Sequence, residues 1–80
     1  MRIEIDHESA VPVYRQLADA LRAQIESGDL EPGRRIPSET ELEAASGLAR
    51  GTIRKSIETL RDEGLVLTVK GKGTFVREED

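Results

Sequence analysis

Between Gly47 and Leu65 the chain reads GLARGTIRKSIETLRDEGL, and its apolar residues Ile53, Ile57 and Leu60 recur at intervals of four and three. That spacing puts them on one stripe of a helix, so the rest of the chain must supply a core for the stripe to face. Arg50, Arg54 and Arg61 run along the flank beside it, with Lys55 further round. Arg50 and Arg54 fall in the first turns, where backbone N–H groups are unpaired and the helix dipole favours an anion. Basic residues on a helix are most often a solvated face. The neighbouring segments argue for more than that here.

Upstream, Ser38-Glu39-Thr40-Glu41 has the spacing of a capping box and opens a short helix over 38–46, which Gly47 can end. Leu42 and Ala45 face the core from this helix, and Leu48 plugs the turn before the next one, over 50–63. Glu39, Glu41 and Glu43 read as solvated residues that suit the dipole. Two helices joined by a tight glycine-containing turn, the second bearing long basic side chains, form a helix-turn-helix.

After Gly64 the period changes. Leu65-Val66-Leu67-Thr68-Val69 and Thr74-Phe75-Val76 are rich in β-branched and aliphatic residues, and Lys70-Gly71-Lys72-Gly73 lies between them as a basic turn. This predicts a hairpin, a wing over 65–77 whose Lys70 and Lys72 can reach phosphates. The Gly-Lys-Gly run is not a nucleotide-binding loop, because the long glycine-bracketed spacing is missing and a strand, not a helix, follows.

The first half supplies the scaffold. Pro12 suits the first position of a helix over 12–28, in which Val13, Leu17, Leu21 and Ile25, with Tyr14 and Ala18 beside them, form the buried stripe until Gly28 ends it. Tyr14 is expected at the core edge with its hydroxyl at the rim. Leu30 to Gly33 is a turn, and Arg34-Arg35-Ile36 runs extended before Pro37. Within an arm over 1–11, Arg2-Ile3-Glu4-Ile5-Asp6 alternates with the period of a short half-buried strand. The fold class is α+β, mainly α: a winged helix-turn-helix of three helices and a C-terminal hairpin.

Eighty residues make one small domain with room for one core. Without cysteine there is neither a disulfide nor a thiolate metal site, and the lone His7 cannot assemble a metal cluster or a catalytic dyad. No cofactor is implied. No apolar run approaches the roughly 20 residues of a membrane span, and the start lacks a signal-peptide core, so a cytoplasmic, nucleoid-associated protein is expected. The net charge of −4 is unevenly spread. Positions 1–47 hold five basic and ten acidic residues, a balance of −5, whereas 48–77 hold seven basic and three acidic, a balance of +4. Screening confines each charge to about 8–10 Å, so this local field outweighs the total.

The ordered motifs resemble the N-terminal domain of GntR-type bacterial transcription regulators across nearly the whole chain. The resemblance rests on Pro12-Val13-Tyr14 with Gln16, then Pro32-Gly33, Ile36-Pro37-Ser38-Glu39 and Leu42. It continues through Gly47-Leu48, Thr52-Ile53-Arg54, Glu63-Gly64-Leu65-Val66 and Gly71-Lys72-Gly73-Thr74-Phe75-Val76. The opening Ile5-Asp6 with Ser9 is most similar to the YtrA and HutC branches. The resemblance implies a third helix in the major groove, a wing tip at the adjacent minor groove, and dimers on a two-fold operator. Carried over by position, Arg50 and Arg54 contact guanine edges or phosphates, Thr52 a phosphate or base, and Lys70 and Gly71 make the wing-side contacts, with Lys72 of the same basic turn kept among the DNA-binding positions.

Three positions depart from the pattern. Ala49 replaces the usual capping serine or threonine, Gly51 stands where a side chain is common, and Thr40 occupies a second-helix position that is often arginine; Thr40 and Gly51 are kept among the DNA-facing positions. A missing cap hydroxyl weakens a helix end by about 1 kcal/mol, so weaker binding per monomer is expected. The family's C-terminal effector-binding or dimerisation domain is not part of the 80 residues, which are either an excised domain or a small stand-alone regulator; a small-molecule effector is not expected to bind them, and a homodimer through this domain itself stays open. The expected function is sequence-specific binding of double-stranded DNA in transcriptional control, most often repression. The alternative is a winged-helix protein-interaction module that no longer binds DNA. No enzyme is expected, since no paired carboxylates or activated nucleophile are in evidence.

Overall fold

The computed structural model describes residues 2–78 and contains, in chain order, α1 (Val13–Ser27), α2 (Glu39–Ser46), α3 (Arg50–Asp62), β1 (Val66–Val69) and β2 (Gly73–Val76). This is the expected winged helix-turn-helix. The boundaries differ by a residue where caps intervene. Pro12 is not the first helical residue but the N-cap of α1, because its ψ of 144° is extended while its carbonyl already accepts from the amides of Arg15 and Gln16. Gly28 and Glu63, read as the last residues of their helices, are the C-caps of α1 and α3.

α2 starts as its sequence dictates. Ser38 Oγ accepts from the Glu41 amide at 3.1 Å and the Glu41 carboxylate accepts from the Ser38 amide at 2.9 Å, closing the capping box. These bonds hold the Glu41 carboxyl below its ordinary value, the backbone bond contributing most. Gly47 stops α2 at φ 74°, a left-handed conformation that costs glycine nothing. The chain then turns within Leu48 and Ala49 into α3, and Leu48 is buried in that turn.

α3 packs on both other helices. Its stripe residues Ile53, Ile57 and Leu60 join Leu17, Ala18 and Leu21 of α1 and Leu42 of α2 in a single core, which Val66 and Val76 of the wing close at one end. Ser56 lies in the same core and is fully buried, a polar residue the apolar spacing did not single out. Its hydroxyl lies 2.7 Å from the Tyr14 carbonyl and 3.1 Å from that of Thr52, so it satisfies its own polarity while fastening the first turn of α1 to the middle of α3. At the other end, the Arg22 fork binds both carboxylate oxygens of Glu63 at 2.8 Å and reaches Asp19 at 2.6 Å. The Glu63 bond, with help from Asp19, raises the guanidinium pKa further above its already high value. Two fasteners thus fix the angle at which α3 leaves the core.

The expected N-terminal strand does not form. Ile3 is buried, Glu4 exposed and Ile5 half-buried, so the alternation is real, but no strand edge lies beside this arm. Instead the Ile3 amide donates to the Ala45 carbonyl at 2.9 Å, one of the carbonyls that the end of α2 leaves without a helical partner. Gln16 ties down the remainder: its amide oxygen accepts from the Asp6 N–H, and its NH2 donates to the carbonyls of Asp6 and Val11.

β1 and β2 pair antiparallel with Val66 opposite Val76 and Val69 opposite Gly73, so 70–72 form the tip. The extended segment before α2 adds to the hairpin. Arg35 bridges to Phe75, the Ile36 amide donates to the Thr74 carbonyl at 2.9 Å, and the Val76 amide donates to the Arg34 carbonyl at 2.8 Å. The wing is therefore anchored through its second strand to the segment that leads into α2.

Candidate nucleic-acid interface

α3, the wing tip and the segment leading into α2 enclose one open groove. Arg54 and Arg61 line it from α3, Lys70, Gly71 and Lys72 from the tip, and Arg35 from the extended segment. Among the described residues, five cations face it against two acids, Glu39 and Glu58. The expected meeting of the recognition helix with the wing is thus present for Arg54, Lys70, Gly71 and Lys72. Arg54 is 61% exposed and Lys70 and Lys72 are exposed, so their charges stand at the surface.

Arg50 stands outside the groove, at the corner between α2 and α3. Its Nε donates to Glu43 at 3.0 Å, its Nη2 donates to the same carboxylate and to Thr40 Oγ1 at 3.1 Å, and Glu39 lies 3.7 Å from Nε. The Glu43 bonds raise the Arg50 pKa. Arg54 Nε in turn donates to Glu39 at 3.2 Å. Glu39 and Glu43, read from sequence as solvated residues, are instead the partners that hold both arginines. The matched spacing was the signal: each helix presents a pair four residues apart, 39 with 43 and 50 with 54, and an ion pair joins 43 to 50 and 39 to 54.

The other positions are simply placed. Thr40 is exposed and bound to Arg50, Thr52 is half-buried in the first turn of α3, and Gly51 is exposed beside it. Ala49 supplies no side-chain cap, as its identity requires. Lys55 turns away from the groove and its ammonium lies 4.3 Å from the centre of the Tyr14 ring, a cation–π contact that occupies the rim position expected for Tyr14. Arg35 is the groove residue that sequence reading passed over, since only its non-local pairing with Phe75 brings it there.

A cationic groove between a helix and a wing invites comparison with known proteins. The profile of the bacterial regulatory proteins of the gntR family matches residues 13–76, four-fifths of the chain. The chain belongs to the GntR family. Among its GntR relatives, the transcriptional repressor NagR of Bacillus subtilis is 39% identical over 92% of this chain and 30% of its own length. YtrA from Sulfolobus acidocaldarius, a GntR-family transcription factor, superimposes with a TM-score of 0.87 at 37% identity, over 98% of this chain and 66% of that one. The AraR DNA-binding domain in complex with operator ORX1 superimposes with a TM-score of 0.86 at 34% identity, over 95% of this chain and 98% of that one. The chain therefore spans under a third of the length of the curated relative NagR, yet nearly the whole of a separate DNA-binding domain. Among the described residues no cluster of acidic or histidine side chains could hold a metal ion, and no helix is long and apolar enough to cross a membrane.

Proposed function

We propose that this GntR-family domain binds double-stranded DNA sequence-specifically and regulates transcription in the cytoplasm, as a repressor, with α3 in the major groove and the wing tip at the adjacent minor groove. One observation carries the reading: Arg54 and the wing lysines open on a single cationic groove, on a fold that in AraR is found bound to operator DNA. Arg50 and Arg54 are the base readers, because a guanidinium fork can pair with guanine O6 and N7 for about 1–3 kcal/mol of discrimination. Thr52 and the exposed backbone of Gly51 complete the α3 side, Thr40 adds a contact from α2, and Lys70, Gly71 and Lys72 hold the phosphates beside the wing. Two copies on a two-fold operator supply the effective affinity that one half-site lacks. No small-molecule effector site is proposed within this domain.

Selection of bound sequences from a random DNA pool tests this reading. The wild-type chain is expected to enrich one half-site motif, repeated with two-fold symmetry. Arg54→Ala should relax base preference at one position of that motif, whereas Lys72→Ala should weaken binding to all sequences by a similar factor. A pool that stays unenriched would instead favour the interaction-module reading, which draws on the carboxylates already engaging Arg50 and Arg54.

A further inference from the structure

The arginines facing the groove fall into two groups. Arg54, like Arg50 at the corner, is held by a carboxylate of α2. Arg35 and Arg61 have no carboxylate within ion-pair distance among the described residues, although the charge of Arg35 is felt by the capping carboxylate of Glu41. Both are nevertheless positioned. Arg61 stands seven residues beyond Arg54, two turns or about 10 Å along the same face of α3, and its Nη1 reaches Thr68 Oγ1 on the wing at 3.5 Å. Thr68 in turn shares a 3.2 Å hydrogen bond with Thr74 across the hairpin. Arg35 is fixed at its backbone by the bridge to Phe75. Its side chain crosses the hairpin at Gly73, where a β-carbon would come within 2.8 Å of Arg35 Cδ. Gly73, at φ 127°, is thus a bare seat over which the arginine stem lies on its way to the groove.

We propose that Arg35 and Arg61 are two further phosphate-binding residues, which grip the DNA strand lying between α3 and the wing without reading its bases. The inference rests on the DNA-binding reading above and extends it to a third element, the segment before α2. A guanidinium with no carboxylate partner among the described residues has no ion pair there to give up for a phosphate, whereas Arg50 and Arg54 must each release a carboxylate. Arg35 and Arg61 therefore supply sequence-independent attraction, and the carboxylate-held arginines engage when correct bases compensate for the lost ion pairs.

The test is the salt dependence of binding to two duplexes, one of mixed sequence and one bearing the selected motif, for wild type, Arg35→Gln, Arg61→Gln and the double variant. Each single change is expected to lower the log–log salt slope by about 0.9 and the affinity by roughly eightfold at 0.1 M salt, equally on both duplexes, and the double variant by the sum of the two slopes. Arg35→Lys, which keeps the charge, should retain the wild-type slope, and thermal melts of every variant separate loss of fold from loss of contact. Unchanged slopes in folded variants, alongside a steep wild-type slope, would overturn this inference and leave the DNA-binding reading standing. A loss confined to the motif duplex would also overturn it, by making these residues base readers. A wild-type chain that binds neither duplex at low salt would overturn both.

Discussion

Gly51 lies in the first turn of α3 with ordinary helical backbone, and a methyl group added there meets nothing within 4 Å. Nothing inside the molecule calls for glycine at this position, which costs a helix roughly 0.5–1 kcal/mol relative to alanine. The remaining physical use of a bare backbone on an exposed face is close approach of another surface. Gly51→Ala is therefore expected to raise the stability of the isolated chain by about that amount in urea unfolding, and at the same time to weaken binding to the selected duplex. Higher stability with unchanged affinity would remove Gly51 from the interface. Arg50 shows the opposite economy at the same end of the helix: its side chain is occupied by Glu43 and Thr40 before any DNA arrives. On the proposed reading, a base bound by Arg50 would compete with those partners.

At the scale of the element, α2 determines where α3 begins, and its own start rests on the Ser38–Glu41 box. Because the Glu41 carboxyl is held below its ordinary value of 4.5, its contribution is present in full above that value and is lost as pH falls through the lowered one. Glu41→Gln keeps an acceptor at this position but removes the charge. The variant should melt below wild type near neutral pH, and the two melting temperatures should converge as pH falls below 4.5 and through the lowered value. A constant gap across that window would assign the stabilisation to something other than the carboxylate. This element was legible in the sequence because its determinants are local: a serine, a glutamate three residues on, and Gly47 at the end. The stripe Ile53, Ile57 and Leu60 was legible for the same reason, since helical period alone decides which side is buried. What stayed hidden depends on contacts between elements. The arm alternates like a strand but has no edge to join, Ser56 is buried because the Tyr14 carbonyl lies opposite, and Arg35 reaches the groove only through its bridge to Phe75. The pairs of Glu39 and Glu43 with Arg54 and Arg50 lie between these cases. Their spacings could be read in advance, but which faces of the two helices meet could not.

For the whole molecule, a net charge of −4 coexists with a groove that, among the described residues, five cations line against two acids. The fold achieves this by bringing three distant segments, around residues 35, 54 to 61 and 70 to 72, to one side of the core, while Asp19 and Glu63 are consumed on Arg22 at the other end of α3. A local field of this kind attracts a phosphate backbone even though the molecule is acidic in sum. Its small core, a dozen buried apolar residues among those described, is enough to hold the helix and wing in one orientation because buried Ser56 and the Arg22 fork fasten α3 directly to α1. The most direct measurement of the central claim is a map of backbone amide chemical shifts as the selected duplex is added. Shift changes are expected at residues 50–54, at 70–72 and at Arg35 and Arg61, with the C-terminal half of α1 unmoved. Changes absent from these sites, or concentrated on the outer face of the wing around Leu67 and Phe75, would contradict the account.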